Sequence, residues 1–303
     1  MTQQKLWLEG QIVLIEPKHL SYGFKESFFT NSYRLIKLYS PKKVKEQSLH
    51  LYYQNEKIWE LKLDEAGYFR ATLDLIETIN FEPNEIRYYL GDNKTEVYKP
   101  EYSKNNIYTI PDDGKIVVSD IDDTVLISHA TSKWKKFTTL IKYSAFQRKQ
   151  VEAMNQFFQQ MNKEHGFIYL SNSEMNLYPL IKNFLSKYHF PKGPLFLREH
   201  MNLLQIFNRK RRSIQTKHHK QQTLTLLMQS YAHKKFILVG DSGQKDPEIY
   251  FNIAKTFKNQ VETIYIREVS GSKKRKRLQQ IEKELAELGI KFILFNTGKN
   301  LLT

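Results

Sequence analysis

The chain has 303 residues, 40% of them apolar, which is enough to fill two hydrophobic cores at the usual domain size of roughly 100 to 200 residues. It contains no cysteine, which excludes disulfides, thiolate metal sites and cysteine nucleophiles together, so hydrolytic chemistry must run on oxygen, nitrogen or a bound metal. The formal net charge of +15 is uneven: residues 1–112 hold 15 Lys and Arg against 16 Asp and Glu, and residues 113–303 hold 32 against 16, a surplus that favours anionic partners such as phosphoesters, acidic lipid headgroups or nucleic acid. The start, MTQQKLWLEGQIVLIEP, lacks the basic region, apolar core and small-residue cleavage site of a secretory signal. No run approaches the roughly 18 apolar residues of a membrane span, so a cytoplasmic protein is expected. From Lys5 to about Ile110 the segments LWLEGQIVL, SYRLIKLYS, LHLYYQ, KIWELKL, GYFRATLDL and EIRYYLGD follow one another between turn residues, the pattern of a β-sandwich. Asp64, Glu65 and Gly67 predict a hairpin turn ahead of Tyr68 and Phe69, with glycine supplying positive φ and the aromatics packing inward. KPEYSKNNIYTIPDDG then reads as a linker, rich in polar residues and carrying Pro100, Pro111 and Gly114, so the domains are expected at 1–112 and 113–303.

After Gly114 the period changes. KIVVSD is a short continuous apolar run, the mark of a strand buried on both faces of a parallel sheet, and GFIYLS, KFILVGD, VETIYIR and IKFILF repeat it. Helices are predicted between them over about 146–163, 176–187, 220–231, 247–257 and 274–288. The alternation predicts a doubly wound parallel α/β sheet. In such sheets reactive groups gather at the carboxyl ends of the strands, where SD, SNS and GDS fall here.

In VVSDIDDTVL, Asp120, Asp122 and Thr124 alternate directly after a buried strand, so Asp120 and Asp122 can face one cavity. Two neighbouring carboxylates repel, and a bound cation relieves them. Magnesium suits such hard oxygen ligands and accepts a substrate phosphate oxygen in its shell. Asp120 would attack phosphorus, and Asp122 would protonate the leaving oxygen and then activate water; an acidic strand-end turn is the plain alternative. Ser171, Asn172 and Ser173 end their strand with small donors able to hold the oxygens of a transferring phosphoryl group, or else merely cap the helix that follows. Asp241 ends another strand and is a further candidate metal ligand beside Asp120 and Asp122. Asp246 stands five residues on, with Gly240 and Gly243 allowing a tight path between. It reads either as the N-cap before Pro247 or as support for the metal site.

Together, D-x-D-x-T, a strand-end Ser, a Lys and a later G-D-S-x-x-x-D resemble, in that order, the four motifs of the haloacid dehalogenase superfamily. More closely, SDIDDTV, YLSNS followed by NLYPLIKNFL, FPKGPLFLR, HK at His219 and Lys220, and KFILVGDSGQKDPEIY resemble the catalytic domain of the actin-patch-protein type of phosphatidate phosphatase over about residues 113–268. The β-rich front, with DEAGYF, is similar to the N-terminal module of bacterial relatives. This resemblance implies a haloacid dehalogenase-like α/β domain, magnesium, an aspartyl-phosphate intermediate and a phosphatidate-like lipid phosphate as substrate. It also implies a lysine that orients the phosphoryl group, which falls on Lys220, with Lys217 as the rival. Glu174 and Met175 stand where relatives often carry Pro-Trp, a departure at a spot that bears on substrate preference.

Arg198 and Arg267 are candidates for a second anionic group or for surface salt bridges. His218 and His219 lack a partner histidine at ligand spacing and read as exposed residues of a helix start. NRKRR at 208–212 and KKRKR at 273–277 suit an acidic bilayer, where each basic residue near the surface is worth about 1 kcal/mol, or simply a solvated helix face. Residues 125–147, with Trp134, Phe137 and Leu140, fall where the superfamily places its flap, for acyl contact or for packing over the site. The expected reaction is phosphomonoester hydrolysis by a cytoplasmic protein with possible peripheral contact to an anionic membrane. A soluble sugar or nucleotide phosphate is the alternative substrate, and a non-catalytic protein binding nucleic acid or another anionic surface is the more distant reading.

Overall fold

The structure, a computed structural model, describes residues 5–14, 42–44, 47–65, 67–74, 85–91, 95–97, 108, 110–127, 149–198, 218–269 and 275–302. They fall into two compact units, one formed by the segments up to Val97 and one by those from Tyr108 onward.

The first unit is antiparallel β structure. Strands β1 (Lys5–Gln11) and β6 (Tyr68–Asp74) pair with each other, as do β2 (Val13–Leu14) and β3 (Lys42–Lys43). A four-stranded sheet runs β5 (Glu56–Lys62), β4 (Ser48–Tyr53), β7 (Arg87–Leu90), β8 (Thr95–Glu96). Alternate residues Leu49 and Leu51 of β4 meet Leu8 of β1, with Leu63, Ile86 and Phe69, so the separate sheets share one core in the way a sandwich does. The turn at 64–67 differs from expectation. Strand β5 pairs with β4 and β6 with β1, so this turn carries the chain between sheets and closes no hairpin. Its chemistry is as expected: Gly67 has φ of 74°, and a Cβ there would lie 2.5 Å from the Ile12 carbonyl oxygen.

The second unit is a six-stranded, fully parallel sheet in the order β11 (Leu195–Arg198), β10 (Gly166–Glu174), β9 (Ile116–Ser119), β12 (Phe236–Asp241), β13 (Val261–Arg267), β14 (Lys291–Phe295). Helices α1 (Met154–Met161), α2 (Tyr178–Lys187), α3 (His219–Ser230), α4 (Asp246–Thr256) and α5 (Arg275–Glu287) alternate with the strands. Every residue of β9 and β12 is buried, which explains the apolar runs that precede their polar last residues, Ser119 and Asp241. Phe158 of α1 packs against Phe167 at 5.2 Å and Phe190 at 5.8 Å between ring centres, fixing helix to sheet by aromatic contact.

Two local differences have clear causes. The helix expected from residue 146 begins only at Met154 among the described residues, because Gln150 bridges Leu126 as a strand would and Ala153 turns left-handed with φ of 57°. The strand LFLR was not expected from the sequence, being only four residues long behind Pro191 and Pro194. The end of the expected linker is fastened to the second unit: the buried Lys234 ammonium donates to the carbonyl oxygens of Pro111 at 2.6 Å, of Gly114 at 3.4 Å and of Asp112. No helix among the described residues is long and apolar enough to cross a membrane.

Candidate active site at the carboxyl edge of the sheet

Asp120 follows the last residue of β9, its amide donating to the Val239 carbonyl at 2.8 Å, so the central strand delivers it to the sheet edge. A tight turn then brings the chain back on itself. Asp123 adopts φ of 62°, a left-handed conformation that Asp tolerates better than most residues, and its amide donates to the Leu126 carbonyl at 2.7 Å. The turn returns Thr124, whose hydroxyl donates to Asp120 Oδ2 at 3.0 Å.

Lys220, the second residue of α3, reaches the same place. Its Nζ lies 2.8 Å from Asp120 Oδ1 and 2.5 Å from Asp246 Oδ1, with all three side chains at 0% or 1% exposure. Asp246 does not cap α4, whose N-cap residue is Lys245. Instead its Oδ2 accepts the Asp241 amide at 3.3 Å. Gly240 makes this approach possible, because a Cβ there would fall 2.7 Å from Asp246 Oδ2 and 2.8 Å from the Tyr250 ring. Asp241 Oδ1 accepts the amides of Gly243 at 2.6 Å and Gln244 at 3.0 Å.

Asp120, Asp241 and Asp246 thus offer carboxylate oxygens within 4.8 Å of one another, all buried. One ammonium against three buried carboxylates is an electrostatic deficit: unit charges about 4 Å apart interact by about 4 kcal/mol at an effective dielectric of about 20. The consequence is a raised carboxyl pKa. Burial first, and then the neighbouring Asp246, Asp241 and Asp122, push the Asp120 carboxyl well above the ordinary range against the opposing pull of Lys220. Burial and Asp246 push Asp241 up to about 7. Burial disfavours the charged Lys220, but Asp120 and Asp246 outweigh it and raise its pKa above the usual lysine value. An all-oxygen, buried and under-neutralised donor set of this kind fits a hard divalent cation.

Asp122 is turned elsewhere. Its Oδ2 accepts the hydroxyls of Ser171 at 3.2 Å and Ser173 at 2.7 Å, and the three clustered carboxylates do not include it. Gln244 Nε2 links the main chain of Asp122 to the cluster, donating to the Asp122 carbonyl at 3.2 Å and to Asp241 Oδ2 at 3.2 Å. Ser173 and Gln244 carry these contacts without having stood out in sequence as more than a generic donor and a loop residue. SNS caps no helix; Asn172 has a buried Oδ1 with no hydrogen-bond partner among the described residues.

Arg198 and Arg267 are not surface salt-bridge residues. Arg198 is 11% exposed, bonds Glu174 at 2.6 Å and donates through Nε to the Asn172 carbonyl. Arg267 donates to the carbonyls of Asp123 at 2.6 Å and Asn296 at 3.0 Å. Neither His218 nor His219 joins the carboxylate cluster. Lys217, the basic run at 208–212, Lys273, Lys274, Trp134, Phe137 and Leu140 lie outside the described residues.

Residues 115–268, which contain Asp120, Asp122, Ser171, Lys220, Asp241 and Asp246, match the family described as Phosphatidate phosphatase APP1, catalytic domain. The chain is 31% identical over 160 residues to the phosphatidate phosphatase APP1 of Saccharomyces cerevisiae, covering 52% of this chain and 26% of that protein. It is 25% identical over 158 residues to an uncharacterized protein of Schizosaccharomyces pombe, covering 52% of this chain and 25% of the other. The chain therefore spans about a quarter of the length of the curated relatives it matches. No solved structure matches it.

Proposed function

Because the chain belongs to the family of the phosphatidate phosphatase APP1 catalytic domain, matched over residues 115–268, we propose that it is a phosphatase that transfers a phosphoryl group to Asp120 and then to water. The observation that carries this reading is the buried set of Asp120, Asp241, Asp246 and Lys220 at the carboxyl edge of the central strands. We take residues 113–303 as the catalytic domain, with the β-rich domain of residues 1–112 ahead of it.

Asp120 and Asp241 would hold magnesium with the main-chain oxygen of Asp122, while Asp246, its two oxygens engaged by Lys220 and the Asp241 amide, supports the site. When bound, the cation would supply positive charge that favours the ionised form of Asp120 and offsets the negative charge of the phosphate. An Asp120 carboxylate oxygen attacks phosphorus in line, and the bond from phosphorus to the leaving oxygen breaks. The departing oxygen takes a proton from Asp122 Oδ1, since Oδ2 is occupied by two serine hydroxyls. Water then attacks the aspartyl-phosphate, gives its proton to Asp122, and the bond between phosphorus and Asp120 breaks. Lys220 stays an ammonium throughout and offsets charge on Asp120 and on the phosphoryl oxygens. Ser171 and the Asn172 amide line the phosphoryl pocket.

For the substrate we favour a phosphatidate-like lipid phosphate. The yeast relative is named for that activity. In addition, Arg275, Lys276 and Arg277 are exposed at the start of α5, which follows the carboxyl end of β13 and so opens on the same sheet edge as the site, a surface suited to an anionic bilayer. Phosphate release from phosphatidate in mixed micelles, set against soluble sugar and nucleotide phosphates with and without magnesium, tests this. Magnesium-dependent release favouring phosphatidate is expected. A far higher kcat/KM on a soluble phosphomonoester would move the substrate to that class, and no release from any of them would overturn the phosphatase reading.

A further inference from the structure

The Ser171–Asn172–Ser173 turn sits where the ladder between β10 and β11 breaks. Leu170 is opposite Phe196 and Glu174 opposite Arg198, so four steps along β10 match two along β11 and the serine turn bulges out of register. A bulged peptide loses its ladder partner, and the polar groups it exposes must be satisfied otherwise. At this bulge the satisfying group is a side chain from the neighbouring strand: Arg198 Nε donates to the Asn172 carbonyl, and Nη2 donates to Glu174 Oε1 at 2.6 Å.

We propose that Arg198 is a positioning residue for catalysis, acting through the Asn172–Ser173 peptide, with Glu174 as its counter-ion; the inference rests on the phosphatase reading. The peptide is held at both ends. Its carbonyl accepts from Arg198, and its N–H, that of Ser173, donates to Ser171 Oγ at 2.9 Å. A hydroxyl has one proton to give. With Ser171 Oγ already accepting the Ser173 N–H, that proton is directed to Asp122 Oδ2 at 3.2 Å, and the same turn aims Ser173 Oγ at this oxygen at 2.7 Å. Arg198 therefore fixes the direction of both hydroxyls that hold Asp122. Only an arginine does this, because its planar fork presents Nε to the carbonyl and Nη2 to the carboxylate at once, whereas lysine ends in a single nitrogen. Burial of the two side chains, at 11% and 7% exposure, makes the pair rigid and makes the loss of one partner costly.

The test compares wild type with Arg198→Lys and with the double variant Arg198→Met/Glu174→Met, measuring kcat, KM and Tm on a soluble aryl phosphate with magnesium. Arg198→Lys should lower kcat by about 10- to 100-fold with KM within about twofold, since the interaction it loses matters in the transition state. The double variant replaces a buried pair by apolar groups of similar volume, so Tm should return to the wild-type value while kcat stays low. Wild-type kcat in Arg198→Lys, or recovery of kcat along with Tm in the double variant, would reduce the pair to a structural one and overturn the inference. A wild-type protein that releases no phosphate would overturn the phosphatase reading and this inference with it.

Discussion

Lys220→Met keeps the length of the side chain and removes the ammonium that lies 2.8 Å from Asp120 and 2.5 Å from Asp246. Three carboxylates are then left in a buried site without a cation, and breaking a buried ion pair by removing one partner costs about 3 to 5 kcal/mol. The loss must depend on pH in a definite direction. Burial already pushes Asp120 well above the ordinary carboxyl range and Asp241 up to about 7, with Lys220 opposing both shifts. Without Lys220 both folded-state pKa values rise further above an unfolded value of about 3.9. A carboxyl whose folded pKa is raised binds its proton more tightly in the folded state, so the folded state loses stability as pH climbs from the unfolded toward the folded pKa. The deficit of Lys220→Met should therefore be largest near pH 8 and smaller at pH 5, where the site can take up protons instead. Urea unfolding in chelator measures it, followed by the helical circular dichroism signal, because all α-helices among the described residues belong to the second unit. A deficit below about 1 kcal/mol at pH 8, or one that grows as pH falls, would refute this account of the site's electrostatics.

Gly240→Ala places a Cβ 2.7 Å from Asp246 Oδ2 and 2.8 Å from the Tyr250 ring, and overpacking of this kind costs about 1 to 3 kcal/mol; thermal melts should show the loss, and phosphate release should fall as Asp246 is displaced from Lys220. Chelation should abolish activity and magnesium restore it, with calcium inhibiting because it prefers more ligands and longer bonds. Magnesium should also raise the Tm of wild type but not of Asp241→Ala; an equal rise in both proteins would remove Asp241 from the metal site. Arg267→Ala removes the Nη1 donor to the Asp123 carbonyl at the left-handed turn after the nucleophile and should lower turnover with little change in KM, which steady-state kinetics would check.

Much of the second unit was legible because its signals are local. Short continuous apolar runs such as IVV and FILV read as strands covered on both faces, and the polar residues that end them, Ser119 and Asp241, mark the carboxyl edge of the sheet. Asp120 and Asp241 stand at those ends, so their convergence follows from strand order, and Asp246 joins them from the start of α4. What the sequence hid depends on contacts between distant segments. Alternation in D-x-D suggested that Asp122 faces the same cavity as Asp120, but the two serine hydroxyls of β10 that its Oδ2 accepts could not be read from that spacing. Arg198 read equally as a contact for a second anionic group or as a surface salt-bridge residue, because the bulge in β10 that it satisfies cannot be read from composition. In the first unit, the DEAGY turn had the residues of a hairpin, but which strand pairs with which is set by the shared core, and β5 and β6 pair with different neighbours.

The central claim is that phosphorus becomes bonded to Asp120. A single turnover with a phosphomonoester labelled in its phosphorus, in magnesium and quenched in acid, tests it directly. Wild type should carry label on Asp120, released by hydroxylamine as expected of an acyl phosphate, while Asp120→Asn keeps the wild-type Tm, carries no label and does not turn over. Label on a different residue, or near-wild-type turnover by a folded Asp120→Asn protein, would contradict the account.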